Sequence, residues 1–237
     1  MPPIRAVLFD LGGTLYDYGA LAPGDGEALV ALLRWAGSHA DPETIHRAYR
    51  QALKQVFYDY LPRPFYLHRD LFRDAVLATA AALGLTLSEA LLARYRGLLR
   101  TQQQRAFAWR EGARETLAAL RARGLRLGIV SNIDDDQLAR LAELGDLDRE
   151  VDFLLSSEQA RSCKPDEGIF RQALRLAGCA PQEALFVGDS RLQDVAGANR
   201  AGLRSVLLWH RQDREPPAGE PRPHHVIRRL PELLALL

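Results

Sequence analysis

Five short apolar runs punctuate the chain: Ile4–Phe9, Leu125–Val130, Val151–Leu155, Ala184–Val187 and Arg204–Leu208. Runs of this length without polar alternation predict strands buried on both faces. Three of them follow a helical stretch closed by a glycine, at Gly124, Gly178 and Gly202, the residue type that ends helices in a left-handed turn. In the stretch before Gly178, residues Phe170, Ala173, Leu174 and Ala177 fall on one helical face. From Glu111 onward helix and strand alternate, which predicts an α/β fold with a parallel sheet and right-handed crossovers.

Between the first run and residue 110 the period changes. Four helical patterns follow one another: Leu29/Leu32/Leu33/Ala36, Ile45/Tyr49/Val56/Phe57/Tyr60, Leu71/Ala75/Val76/Thr79/Leu83 and Leu87/Leu91/Tyr95/Leu98. Leu61-Pro62-Arg63-Pro64 separates two of them. Residues 17–106 therefore read as a helical bundle inserted after the first strand, with 1–16 and 107–237 forming the sheet-bearing core. Glu215–Pro223 reads as a proline-rich surface loop, and Val226–Leu237 as a last short strand and helix.

Composition narrows the classes of function. A chain of 237 residues, 47% hydrophobic and 26% charged, buries a core without needing disulfides or structural metals. A formal net charge of +1 gives no global field for nucleic acid. No apolar run approaches a membrane span, and the start, Met-Pro-Pro-Ile-Arg, has no signal-peptide pattern. Two cysteines, Cys163 and Cys179, read as reduced thiols. The expectation is a cytoplasmic protein with neither a nucleic-acid nor a membrane partner. Lys54 and Lys164 are the two lysines among 31 basic residues, so lysine at 164 points to a specific need.

In an open parallel sheet, ligands bind beyond the carboxyl ends of the strands, where strand order reverses. The residues just past the apolar runs are Asp10-Leu11-Gly12-Gly13-Thr14, Ser131-Asn132 and Gly188-Asp189-Ser190, with Asp194 five residues beyond Asp189. Lys164-Pro165 precedes a helix. All four sets converge on one edge. Asp10 and Asp189 would repel unless a cation joined them, and Mg²⁺ suits an all-oxygen site of carboxylates, waters and substrate phosphate. Gly12 and Gly13 let the backbone turn and present its polar groups near a ligand. Ser131 offers a hydroxyl to a phosphate oxygen, aided by N–H groups at the next helix start. Lys164 supplies a point charge to neutralise the nucleophile and the transferring group. Asp134-Asp135-Asp136 reads as a solvated first helical turn.

These residues resemble the four motifs of the haloacid dehalogenase-like (HAD) hydrolase superfamily, in order and spacing, over residues 4–16 and 110–237. The resemblance implies a Rossmann-like core with helices on both faces, a helical type-one cap, and phosphate hydrolysis through an aspartyl-phosphate. It implies that Asp10 is the nucleophile, that Ser131 and Asn132 hold the phosphoryl group, and that Lys164 balances charge. Gly13 and Thr14 are expected beside the substrate. Asp10, the Gly12 carbonyl and Asp189 would bind Mg²⁺, with Asp194 supporting its water shell.

One position departs from the pattern. Family phosphatases carry a second aspartate two residues after the nucleophile as general acid and base, and here that position is Gly12. Such catalysis contributes about 10²–10⁴-fold, so the expected enzyme is a Mg²⁺-dependent phosphatase of a small phosphorylated metabolite that is slow or restricted to good leaving groups. Asp17, Tyr18 and His68 are candidate replacements for the acid. Two alternatives stand beside it: a haloacid dehalogenase attacking carbon without metal, and a catalytically weak protein that binds a phosphorylated ligand. The insert is expected to cover the site and exclude water. Tyr58, Tyr60, Phe65, Tyr66, His68 and Arg69 either line its pocket or pack the bundle. Trp35, Trp109 and Trp209 read as packing residues.

Overall fold

In the computed structural model, residues 2–17, 22–103, 108–210, 215 and 219–237 are described. The first apolar run forms β1, Ala6–Phe9, and its four residues are completely buried. It is flanked by two parallel neighbours, β2 (Arg126–Ser131) and, later in the chain, β4 (Ala184–Gly188). With β3 (Phe153–Ser156), β5 (Arg204–Leu208) and β6 (His225–Ile227) they make a six-stranded parallel sheet in the order β3-β2-β1-β4-β5-β6. The chain winds outward from β1 to β3, then restarts at β4 and winds the other way. The reversal opens a crevice past the carboxyl ends of β1 and β4.

Both faces of the sheet are covered, as such apolar runs require. Ala6, Leu8, Val130, Leu155, Ala184 and Phe186 share one core cluster with helical residues Ile169, Phe170, Ala173 and Leu174. The alternate residues Val7, Phe9, Ile129, Leu185 and Val187 are equally buried. The sheet is a Rossmann-like α/β core with helices around it.

The helices follow in chain order. In the segment after β1 lie α1 (Ala22–Trp35), α2 (Pro42–Tyr60), α3 (His68–Ala82) and α4 (Glu89–Gln103). Asp41 caps α2 by accepting the Thr44 N–H at 3.0 Å, with Pro42 opening the helix, as both residue types favour. Leu29, Leu32, Leu33, Ile45, Val76, Ala80 and Leu92 form the core of this segment. On α4 the fully buried residue is Leu92, while Leu91 and Tyr95 of the expected face are only partly buried.

In the sheet-bearing part, α5 (Ala113–Ala122), α6 (Asp135–Gly145), α7 (Leu147–Glu150), α8 (Ser157–Ala160), α9 (Glu167–Ala177) and α10 (Ala196–Arg200) surround the strands. The expected face of α9 is buried throughout, and Gly178 ends that helix at φ 66°. The third strand starts two residues later than its apolar run, because the Val151 N–H closes α7 on Leu147 O at 3.2 Å. The chain ends in β6 and a 3-10 helix, Leu230–Leu236. Of the proline-rich loop, residues 216–218 lie outside the described residues. No described helix is long and apolar enough to cross a membrane.

The chain divides into two compact units, Met1–Asp17 with Ala108–Leu237, and Tyr18–Phe107. Within the first unit, the segments on either side of the insertion pair with each other. Asp17 N–H donates to Ala108 O at 3.0 Å and Arg110 N–H to Leu15 O at 2.8 Å, with an antiparallel bridge between Tyr16 and Trp109.

Candidate active site

Strand register assembles the centre. Phe9 lies opposite Ile129 on one side and Val187 on the other, so Asp10 leaves the sheet between the ends of β2 and β4. Its N–H still donates to Val187 O at 2.9 Å, which fixes the backbone while the carboxylate clears the strand. That carboxylate is almost wholly buried and has a partner at each oxygen. Oδ1 accepts from Lys164 Nζ at 2.6 Å and from Ser131 Oγ at 3.4 Å; Oδ2 accepts from Thr14 Oγ1 at 3.2 Å.

Lys164 is 1% exposed and reaches a second carboxylate, Asp194 Oδ1, at 2.7 Å. Burial alone would draw its ammonium below the ordinary pKa; the charges of Asp10 and Asp194 outweigh burial and hold it above. The loop that carries Lys164 is clamped by Asn132. The Asn132 amide donates to Lys164 O at 2.8 Å and its Oδ1 accepts the Lys164 N–H at 2.7 Å. The side chain expected to hold a phosphoryl group is thus engaged in holding the lysine's backbone.

Asp189 enters from the turn after β4, and Asp194 from the π-helical turn Arg191–Val195 that follows it. A methyl group on Gly188 would stand 2.3 Å from Asp194 Cγ, so only glycine lets Asp194 fold back beneath the strand end. Its Oδ2 accepts the Ser190 N–H at 2.9 Å; Oδ1 is buried and ion-paired with Lys164 but makes no hydrogen bond. Gly13 answers the same need for Asp189: at φ +84°, an added Cβ would lie 2.3 Å from Asp189 Oδ2. Gly13 donates its N–H to Tyr16 O at 2.8 Å and gives its carbonyl to Arg110. Its bare Cα makes room for the Asp189 carboxylate. Thr14, expected like Gly13 beside the substrate, is fully buried with its hydroxyl on Asp10.

Asp10, Asp189 and Asp194 each present a carboxylate oxygen within 4.8 Å of the others. The crowding is severe. Burial, followed by the charges of Asp10 and Asp194, pushes Asp189 up to about 8. Burial pushes Asp194 up to about 6, against the pull of Lys164. Three carboxylates around one ammonium leave an excess of negative charge, so an anionic group can approach only if further positive charge is supplied. Oxygen donors at this spacing are the set that hard divalent cations take.

The structure thus brings Asp10, Ser131, Lys164, Asp189 and Asp194 together, with Gly12 half-buried in the turn beside them. Asp134, expected to be solvated, is buried at the start of α6, while Asp136 remains exposed. Of the proposed substitute acids, Asp17 is half-buried next to the paired segments, Tyr18 lies outside the described residues, and His68 belongs to the helical unit. There His68 stacks between Tyr66 and Phe72, at 5.1 and 6.1 Å, and Tyr66 packs edge-on against Tyr60. These aromatics pack against one another within the bundle.

One residue at the centre was not anticipated. Arg110 donates from Nη2 to Gly13 O at 2.7 Å and from Nε to Thr14 O at 3.0 Å. Its sequence signal is nil: it is one arginine in an arginine-rich chain, and its partners are backbone carbonyls.

A family model described as haloacid dehalogenase-like hydrolase matches residues 4–202. The chain is 33% identical to the human haloacid dehalogenase-like hydrolase domain-containing protein 3, over 99% of this chain and 94% of that one. It is 31% identical to a glyceraldehyde 3-phosphate phosphatase of Methanopyrus kandleri, over 98% of this chain and 96% of that one. Among solved structures, a dehalogenase superposes with a TM-score of 0.72 at 26% identity, covering 100% of this chain and 98% of the other. With the motif residues gathered at one sheet edge and the likeness spanning nearly the whole chain, this protein belongs to the haloacid dehalogenase-like hydrolase family.

Proposed function

We propose that this hydrolase is a Mg²⁺-dependent phosphatase of a small phosphorylated metabolite, with Asp10 as nucleophile. The observation that carries the reading is the crowded carboxylate trio held beside a buried lysine: it is built for a dication and an anionic substrate together. Asp10, Asp189 and the Gly12 carbonyl would hold the ion, and Asp194 would stand behind them, supporting its water shell. A bound Mg²⁺ would neutralise carboxylate repulsion and the charge of the incoming phosphoryl group.

The chain's own residues then have distinct tasks. Thr14 and Lys164 fix the Asp10 carboxylate so that one oxygen faces the phosphorus, which forms the aspartyl-phosphate as the leaving alkoxide departs. Ser131, at the end of β2, donates its hydroxyl to a phosphoryl oxygen. Lys164 stabilises the charge that spreads over those oxygens. Position 12 has no side chain to protonate the leaving group, so good leaving groups are favoured and hydrolysis of the adduct is slow. The helical unit, inserted immediately after the Asp10 turn, serves as a cap that selects substrate. Cys163 and Cys179 are unbridged, in keeping with a reducing compartment, and we assign the protein to the cytoplasm.

A phosphorylated-metabolite panel with Mg²⁺, beginning with triose phosphates because a relative bears that name, tests the reading. Wild type should release phosphate, Asp10→Asn should not, and Gly12→Asp should raise turnover. Full activity in Asp10→Asn would remove the nucleophile assignment. Gly12 and the dehalogenase neighbour favour one other reading, attack at carbon; halide release that persists in chelator would establish it instead.

A further inference from the structure

We propose that Arg110 is a positioning residue of the reaction centre: its guanidinium locks the Gly13–Thr14 turn, and thereby keeps Thr14 and Asp189 in place around Asp10. Two successive carbonyls, of Gly13 and Thr14, turn to the same side chain, at 2.7 and 3.0 Å. The turn is made by Gly13 at φ +84°, a conformation glycine adopts without strain. The turn so made carries two dependent contacts. The Thr14 hydroxyl lies on Asp10 Oδ2 at 3.2 Å, and Asp189 rests against the bare Cα of Gly13, where even a methyl group would collide.

Charge argues the same way. Without Arg110, the negative ends of two carbonyl dipoles would lie unmatched beside three carboxylates. With it, they face a cation that takes both as hydrogen-bond acceptors. The geometry calls for arginine specifically. A rigid fork presents Nε and Nη2 to two acceptors at once, whereas lysine would bring a single point charge. Arg110 is itself anchored, because its N–H donates to Leu15 O at 2.8 Å. The side chain and backbone of one residue therefore grip three consecutive residues, Gly13 to Leu15.

The catalytic consequence rests on the phosphatase reading above, whereas the structural one does not, and the test separates them. Hydrogen exchange across residues 11–16 is compared in wild type, Arg110→Ala and Arg110→Lys, alongside kcat and KM for 4-nitrophenyl phosphate with Mg²⁺. In Arg110→Ala, exchange at Gly13 should accelerate and kcat should fall about tenfold or more, with KM changed by less than about threefold. Millimolar guanidinium ion should restore part of kcat, and Arg110→Lys should recover only a fraction. Should Arg110→Ala fail to fold, Arg110→Gln, which keeps a donor near the same volume, carries the comparison. Unchanged exchange would overturn the proposal, as would faster exchange with wild-type kcat. If wild type releases no phosphate, the phosphatase reading falls, and the exchange measurement decides Arg110's part by itself.

Discussion

Lys164 is the residue on which the electrostatics of the centre turn. Its ammonium separates two buried carboxylates, at 2.6 Å from Asp10 and 2.7 Å from Asp194. Removing one member of a buried charge cluster leaves the others uncompensated, at a cost of about 3–5 kcal/mol. Lys164→Met, which keeps the volume, should therefore lower stability by about that amount in metal-free buffer and abolish phosphate release. Adding Asp194→Asn to it should recover part of the stability but none of the activity. Urea midpoints of the two variants check this; a double variant no more stable than the single one would count against the account. At this scale the sequence was most readable where chemistry follows directly on an apolar run, as with Asp10, Ser131 and Asp189. Thr14 and Asn132 were legible as members of the centre, but their bonds to Asp10 and to the Lys164 backbone were not. Whether a hydroxyl or amide faces a ligand, a nucleophile or a backbone depends on side-chain direction, which spacing along the chain does not encode. The tight clearance at Gly13 was not legible, because it belongs to Asp189, which is remote in sequence.

Among the elements, α9 shows how far hydrophobic period reaches. Its expected face packs on the sheet, with Phe170 fully buried and edge-on to Phe186 at 4.9 Å between ring centres. Phe170→Ala should cost about 3–5 kcal/mol through lost burial and a residual cavity. Because Phe170 makes no hydrogen bond to the centre, kcat measured well below the unfolding temperature should stay within about twofold of wild type. A large loss of kcat in still-folded protein would show that α9 tunes the centre. Strands were legible because both their faces are buried, which leaves an apolar run. On α4 the period located the helix and its inward side, where Leu87, Leu91 and Tyr95 pack against the core, but missed Leu92, which is more deeply buried. A single amphipathic helix has a broad apolar stripe, and its neighbours α1 and α3 decide which edge of the stripe is covered.

The molecule as a whole carries a cost that a cation would lift. Three carboxylates share one small volume, and the rise of Asp189 to about 8 means that the metal-free fold favours that group uncharged. Mg²⁺ should raise the unfolding temperature of wild type. Asp189→Asn should be more stable than wild type in chelator, by on the order of a few °C, and should gain little from Mg²⁺. Differential scanning fluorimetry with and without chelator decides it. A wild type indifferent to Mg²⁺, or an Asp189→Asn variant that responds as strongly, would argue that the trio is not a cation site. The architecture was legible at this scale because two periods, of strand and of helix, occupy different stretches of the chain. The reversal of strand order at β4 was expected only in general terms, since pairing between distant runs leaves no local trace.

The pairing of Leu15–Asp17 with Ala108–Arg110 also bears on how such a chain could have arisen. The points at which the helical segment departs and returns are laced side by side by backbone bonds, with the Arg110 side chain tying the returning segment to Gly13 and Thr14. To the sheet-bearing unit, the intervening residues are a closed loop whose ends already meet, and the entropic cost of such a loop grows only slowly with its length. A lineage could lengthen, shorten or exchange that segment wholesale while the machinery around Asp10 stayed untouched. Selection on what the enzyme accepts and selection on how it reacts would then act on separate stretches of the gene.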